Sequence, residues 1–282
     1  MKPILAALGA IALWSTLATL GLVLRHVPAF LLTGISLLIG SLIALPLLWR
    51  YPAGWRLPWK TLALGVYGLF GFHFLLFIAL RSAPPVEANL VNYLWPLLMV
   101  VLAPALLGVP LRAVHLVAAL LGFAGAALAI LGGGAATEGA LLGGWHSGYA
   151  LAFASACVWA SYSLWCQRVA PFNTAAIGVF ALVSGLLSLA CHWALEPAVA
   201  LTAQDWMLLT AMGLGPLGAA FFLWDVALKH GDVRQIGILS YITPLASTAL
   251  LLVVSGQALS WNIALAAALI LGAAILGVLK SK

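Results

Sequence analysis

The sequence predicts an all-α polytopic membrane protein: ten transmembrane helices forming two inverted five-helix repeats, both termini cytoplasmic. Three observations predict it. First, the 282 residues are 65% hydrophobic and only 6% charged, with a mean hydropathy of +1.17. Soluble proteins carry about a quarter charged residues, so twelve Lys and Arg with six Asp and Glu cannot cover a soluble surface. Second, the apolar stretches have bilayer length, because a hydrocarbon core of about 30 Å takes roughly 20 apolar residues per helix. Third, the chain repeats itself, Tyr93-Leu94-Trp95-Pro96 falling over Tyr241-Ile242-Thr243-Pro244 at a 148-residue offset.

These features exclude a soluble enzyme, a disordered chain and a nucleic-acid binder. The net charge of +6 and pI near 9.5 do not reverse that, since the bases are strung singly between apolar segments and form no dense run. Cys157, Cys166 and Cys191 lie in apolar stretches without a CxxC, so neither a disulfide framework nor a zinc site is expected.

Reading between charges and turn clusters places the spans at 3–24, 29–49, 60–80, 85–107, 112–132, 147–167, 172–194, 206–228, 233–254 and 260–279. The breaks are Arg25 to Pro28, Arg50 to Lys60, Arg81 to Pro85, Gly108 to Pro110, Gly132 to Gly144, Arg168 to Pro171, Glu196 to Asp205, Lys229 to Arg234 and Ser255 to Ser260. A transmembrane barrel would alternate polar and apolar residues over about ten positions; these segments are apolar all round for twice that length, so they are helices. The first span runs uncharged from Pro3 to Leu24 with no small-residue cleavage pattern, and reads as a retained helix.

Orientation follows from the bases on alternate sides. With the N-terminus inside, the cytoplasmic side holds Lys2, Arg50, Arg56, Lys60, Arg112, Arg168, Lys229, Arg234, Lys280 and Lys282, and the other side only Arg25 and Arg81. Glu138, Glu196 and Asp205 then fall outside.

At the same offset Phe74, Leu80, Leu97 and Gly108 match Phe222, Leu228, Leu245 and Gly256, while Trp14 pairs with Trp159 and Gly125 with Gly272 at nearby offsets. The expected units are residues 1–139 and 140–282. Five helices per unit is odd, so the second enters the membrane inverted. Inverted repeats are typical of secondary transporters, whose site lies near the midplane where the halves meet.

Depth can be read at 1.5 Å per residue. Trp14, the Tyr93 to Pro96 run, Trp159 and the Tyr241 to Pro244 run all come to roughly 12–18 Å, near the bilayer centre. Trp and Tyr usually mark the interfaces instead. Helical spacing places Asn89, Asn92, Tyr93 and Pro96 on one face, Ser155, Trp159, Tyr162 and Cys166 on another, and Ser240, Tyr241, Pro244, Ser247 and Thr248 on a third. Lone Ser and Thr residues serve as packing glue; the Asn, Tyr and Trp residues point to a lined cavity. Pro96 and Pro244 are expected kinks, lacking the N–H that the carbonyls of Asn92 and Ser240 would otherwise accept. Those carbonyls suit a substrate donor or a neighbouring hydroxyl equally.

Of the ionisable residues only His73 sits deep, a position that favours a functional role or a satisfied buried imidazole. Asp225 is placed to pair with Lys229, Glu87 to stand beside Arg81 at the outer mouth, and His115 at an interface. There is no HExxH, GxSxG, P-loop or DDxxD, so no enzyme, no cofactor and no metal site is expected.

Leu13-Trp14-Ser15-Thr16, Asn92-Tyr93-Leu94-Trp95-Pro96, Trp159-Ala160-Ser161-Tyr162, Phe222 to Asp232 and Ser240-Tyr241-Ile242-Thr243-Pro244-Leu245 carry a resemblance. Over its whole length the chain resembles the drug/metabolite transporter superfamily, EamA type, and most narrowly its YddG-type aromatic amino-acid exporters of Gram-negative bacteria. It departs from the superfamily's Gly-Glu pattern after the fourth and ninth helices, reading Gly108-Val109 and Gly256-Gln257. It also lacks the first-helix Glu of the small multidrug exporters. The resemblance implies export of aromatic and other neutral amino acids across the bacterial inner membrane by alternating access. The alternative it leaves is a carrier of another metabolite or drug, such as a nucleotide sugar. The expected substrate-binding residues are Trp14, His73, Asn89, Asn92, Tyr93, Trp95, Trp159, Tyr162, Ser240 and Tyr241. The expected partners are a small-molecule substrate and the lipid bilayer, with no nucleic acid, in a monomer or weak homo-oligomer.

Overall fold

A computed structural model describes residues 2–50, 57–131, 147–255 and 261–279. The expected break at Gly132 to Gly144, with Glu138, and most of the one at Ser255 to Ser260 lie outside the described residues. Every regular element among the described residues is helical. Among the described residues, eight stretches are long and apolar enough to cross a membrane: Pro3–Val23, Ala29–Leu47, Trp59–Ser82, Glu87–Leu107, Ala113–Ile130, Ala176–Leu195, Ala203–His230 and Val233–Val254. The chain is a multi-pass membrane protein. Helices at Ser147–Trp165 and Trp261–Leu279 stand where the sixth and tenth spans were expected.

Several spans are interrupted, which apolar length alone does not show. The first is α1 (Pro3–Trp14) and α2 (Leu17–Val23), parted where the Ser15 and Thr16 hydroxyls bond back to the carbonyls of Ile11 and Leu13; such back-bonding bends helices. The second holds α3 (Ala29–Ser41) and α4 (Leu45–Arg50), joined by a 3₁₀ turn. In the third, a π-turn at Tyr67–Gly71 links α5 (Trp59–Val66) to α6 (Phe72–Ser82). The fourth breaks at Tyr93 and Leu94 between α7 (Pro85–Asn92) and α8 (Trp95–Leu107), because Pro96 cannot continue the ladder. Then come α9 (Ala113–Ile130), α10 (Ser147–Trp165) and α11 (Ala176–Leu195). A second π-turn, Gly215–Ala219, links α12 (Ala203–Leu214) to α13 (Ala220–His230). A second break, at Ser240 and Tyr241, separates α14 (Val233–Leu239) from α15 (Ile242–Ser255), before α16 (Trp261–Leu279).

The 148-residue repeat returns in these boundaries. The π-turns start at Tyr67 and Gly215, the helices after them run 72–82 and 220–230, and α7 and α14 start at Pro85 and Val233.

Side chains tie the turns together at each end of the bundle. At one end the buried Glu196 carboxylate accepts from the amides of Phe30 and Leu31 at 3.0–3.1 Å, Arg81 donates to it at 2.5 Å, and His26 meets Asp205 at 3.0 Å. At the other, Arg234 donates to the Pro110 carbonyl at 2.8 Å, Gln167 to that of Leu228 at 2.6 Å, and Lys229 to that of Phe172 at 2.8 Å. The core between them is small-residue and aromatic: Ala6, Ala10, Ala156 and Ala160 are fully buried with Trp224 and Phe180.

Candidate functional site

A cavity of about 730 Å³ lies among the interrupted spans. Its floor is a tryptophan cluster drawn from both halves of the chain. Trp14 from α1 meets Trp159 from α10 edge-on with ring centroids 5.9 Å apart, and Trp95 at the start of α8 meets Trp159 at 6.4 Å. Phe221 completes the floor, 5.8 Å from Trp159 and 6.1 Å from Trp14. Trp14 is held by its indole N–H, which donates at 3.1 Å to the carbonyl of Pro216 in the second π-turn. A π-turn shifts the i−4 ladder and frees carbonyls, so the element that interrupts one helix seats the ring of another.

One wall is α6, with Phe72, His73 and Phe77. The Nδ1 of His73 lies 2.6 Å from the carbonyl of Leu69. A carbonyl only accepts, so Nδ1 carries the proton there. A second wall is the fourth span, with Asn89, Asn92 and Tyr93, and a third is α15, with Thr243, Pro244, Ser247 and Thr248. The cavity runs along α2, past Leu17 and Gly21, to Arg25 and Arg81. It therefore reaches the Glu196 end of the bundle. Among the described residues, no Asp or Glu lines it.

Toward the opposite end the bundle is closed. Trp224, 1% exposed, lies 5.1 Å from Trp14 and donates to the Ser163 hydroxyl at 3.2 Å. Beyond it the Lys229 ammonium lies 2.6 Å from Asp225, 3.3 Å from the Thr174 hydroxyl and 3.9 Å from the centre of the Phe172 ring. The Thr174 hydroxyl also donates to Asp225 at 2.7 Å. The Lys229–Asp225 pair near the end of α13 is thus tied to the segment that leads into α11.

Seven of the ten expected binding residues line the cavity; Tyr162, Ser240 and Tyr241 do not. The ring of Tyr162 fills the space above Gly68, where a Cβ would come within 2.3 Å of it. Tyr241, fully buried, lies against Gly122 in the same way, at 2.4 Å, with Phe123 at 6.4 Å. Ser240 donates to the Ile236 carbonyl at 2.8 Å. The break after α14 is the reason: helical spacing carried through Ser240 and Tyr241 assigns them the face of Pro244, but the interruption turns them into the bundle. It also satisfies the Ser240 carbonyl, which accepts from the Thr243 amide at 3.0 Å.

Thr243 is a polar lining residue that spacing missed, as it missed the aromatic Phe72, Phe77 and Phe221. For Thr243 the internal repeat carried the signal, since the 148-residue offset places it over Trp95, which is itself a lining residue. Asp225 pairs with Lys229 as its i, i+4 spacing predicts. Arg81 does not pair with Glu87: it reaches across to Glu196, and Glu87 accepts from the Tyr149 hydroxyl. His115, in the first turn of α9, is fully buried.

A helical membrane bundle whose two halves converge on a solute-sized cavity, reached from one end and shut at the other, has the build of a carrier. The EamA-like transporter family model matches residues 1–131 and 146–279, and the chain belongs to that family. It is a transporter-family protein and not an enzyme. Relatives named aromatic amino acid exporter YddG are 41% identical in Ancylobacter novellus, over 97% of this chain and 96% of that one. The one from Escherichia coli is 28% identical over 98% and 96%. A solved crystal structure 39% identical to the chain, covering 98% of it and 97% of its counterpart, superposes with a TM-score of 0.89.

Proposed function

We propose that the protein exports aromatic and other neutral amino acids across a bacterial inner membrane by alternating access around the central cavity. In this reading ten helices form two inverted five-helix repeats, 1–139 and 140–282, with both termini cytoplasmic. The cavity then opens outward at Arg25 and Arg81, and the Lys229 end is the closed cytoplasmic side. The observation that carries the reading is the lining itself: aromatic rings and neutral dipoles, with Arg25 and Arg81 at the mouth and no carboxylate among the described residues. Such a lining accepts a neutral or zwitterionic solute carrying a ring, at about 0.5–1.5 kcal/mol per ring pair beyond area burial. The relatives' printed names point to the same cargo.

Uptake of labelled Phe, Trp, Lys and a sugar nucleotide into proteoliposomes tests it. Saturable Phe and Trp flux with little Lys or sugar-nucleotide flux is expected, falling several-fold in Trp159→Ala and Tyr93→Ala. Absence of saturable amino-acid flux would overturn the function, and unchanged flux in both variants would overturn the site. Repeating the assay under an imposed pH gradient, with and without His73→Ala, tests whether export is proton-coupled.

A further inference from the structure

Gly21 is a helix glycine that nothing packs against. Glycine weakens a helix interior, and elsewhere in this bundle close packing offsets the loss: Gly65, Gly68 and Gly122 each seat a ring, those of Phe180, Tyr162 and Tyr241. A side chain at Gly21, inside α2, would meet nothing within 4 Å. The residue lines the cavity, as do Leu17 and Ala18 before it, and no residue of α2 is buried.

The internal repeat supplies the comparison. With Trp14 set over Trp159, Ala18 falls over Ser163 and Gly21 over Cys166; the 148-residue offset sets Leu76, Phe77 and Leu80 of α6 over Trp224, Asp225 and Leu228 of α13. In the second half these positions are shut together. There α10 runs unbroken past Trp159, with Tyr162, Ser163 and Leu164 buried and Cys166 6% exposed. Trp224 donates to the Ser163 hydroxyl at 3.2 Å, and Gln167 to the Leu228 carbonyl at 2.6 Å. In the first half the helix breaks after Trp14, and the matching residues of α2 and α6 face the cavity: Leu76, Phe77 and Leu80 line it together with Ala18 and Gly21. The Phe77 ring is half-buried, edge-on to Phe30 at 5.8 Å.

We propose that the outer mouth shuts when α6 packs on α2 as α13 packs on α10, and that Gly21 is the seat that receives the ring of Phe77. The proposal rests on the inverted-repeat, alternating-access reading above and names the contact that completes its cycle. The ring-on-glycine pairs already present are the geometry this sequence uses for such contacts. Where the second half has Ser163 and Trp224, the first has Ala18 and Leu76, so the outer seal is a matter of fit and not of hydrogen bonds. Bulk at Gly21 is then free of clashes in the open state and is felt only on closing.

The test separates binding from turnover. Labelled Phe flux into proteoliposomes gives the maximal rate, and quenching of the floor tryptophans by Phe in detergent gives the binding constant. Gly21→Leu should lower the maximal rate about tenfold or more, the scale of an overpacked contact. It should leave the binding constant within about twofold of wild type. Adding Phe77→Ala should restore most of the flux, because it returns the volume. Unchanged flux in Gly21→Leu would overturn the proposal, as would binding weakened in step with flux, which would make the glycine substrate space. Flux lost and not restored by Phe77→Ala would overturn the pairing with Phe77. Wild type without saturable flux would overturn the exporter reading instead. Should Gly21→Leu purify poorly, the pair Gly21→Cys and Phe77→Cys adds little bulk. Copper phenanthroline should then join the two thiols in proteoliposomes carrying Phe, seen by mass spectrometry as a linked peptide. No linked peptide would overturn the contact, since a disulfide needs its Cα atoms within about 7 Å.

Discussion

Glu196 shows how one side chain can organise an end of a membrane bundle. Burial alone pushes its carboxyl pKa up, but the Phe30 amide, the His192 ring, the Leu31 amide and the Arg81 guanidinium all stabilise the charged form and hold it below its ordinary value. A carboxyl depressed in the folded state stabilises the fold above its unfolded pKa, and that contribution is lost as pH falls through the folded value. The melting temperature of the solubilised protein should therefore exceed that of Glu196→Gln at pH 7, and the gap should close as pH drops below the ordinary value of 4.5. A gap that stays constant down to pH 3 would refute this. Gly122 makes a second residue-scale prediction, because a side chain there meets the buried Tyr241 ring. Gly122→Leu should cost about 1–3 kcal/mol through overpacking, read as a lowered melting temperature. None of this is legible in sequence: Glu196 is one of six acids, and its donors come from positions 30, 31, 81 and 192.

At the scale of elements, the interruptions matter more than the helices. A regular helix consumes its own carbonyls, and a π-turn or a proline returns a few to the bundle. Trp14 uses one of them at Pro216 and His73 another at Leu69, within the first π-turn. Trp14→Phe keeps the ring and removes the donor. It should leave the Pro216 carbonyl unpaired at a cost of about 1–3 kcal/mol, which thermal unfolding in detergent would show as a lower midpoint than wild type. The prolines were visible in sequence and so were the expected kinks. Neither π-turn was, because nothing in Tyr67-Gly68-Leu69-Phe70-Gly71 distinguishes an i→i+5 bond from an i→i+4 bond until packing selects one.

Over the whole molecule, one end is sealed by charge. Asp225 is 2% exposed and its partner Lys229 sits one helical turn away, tied also to Phe172 and Thr174 across the bundle. Removing one member of a buried pair strands the other and costs about 3–5 kcal/mol, whereas replacing both with apolar groups is often tolerated. Lys229→Met should thus loosen this end, exposing a cysteine placed at position 174 to polar thiol reagents. The double variant with Asp225→Leu should restore most of the stability, and a double-mutant cycle on melting temperature measures the coupling. If the single variant stays as tight as wild type, the pair is not the seal.

Local chemistry in the sequence determined the membrane class, the placement of the helices and the 148-residue period of their boundaries, because apolar length, charge and proline act over a few residues whatever surrounds them. It identified seven of the residues that line the cavity for the same reason: Trp, Asn, Tyr and His inside long apolar spans are costly unless a polar space receives them. Only the tertiary structure decided which faces turn inward. Ser240 and Tyr241 look like lining residues on a continuous helix, and a single break rotates them into packing and brings Thr243 to the cavity. Facing is a property of the angle between two helix segments, which is set by what packs on each of them, and no single segment encodes it.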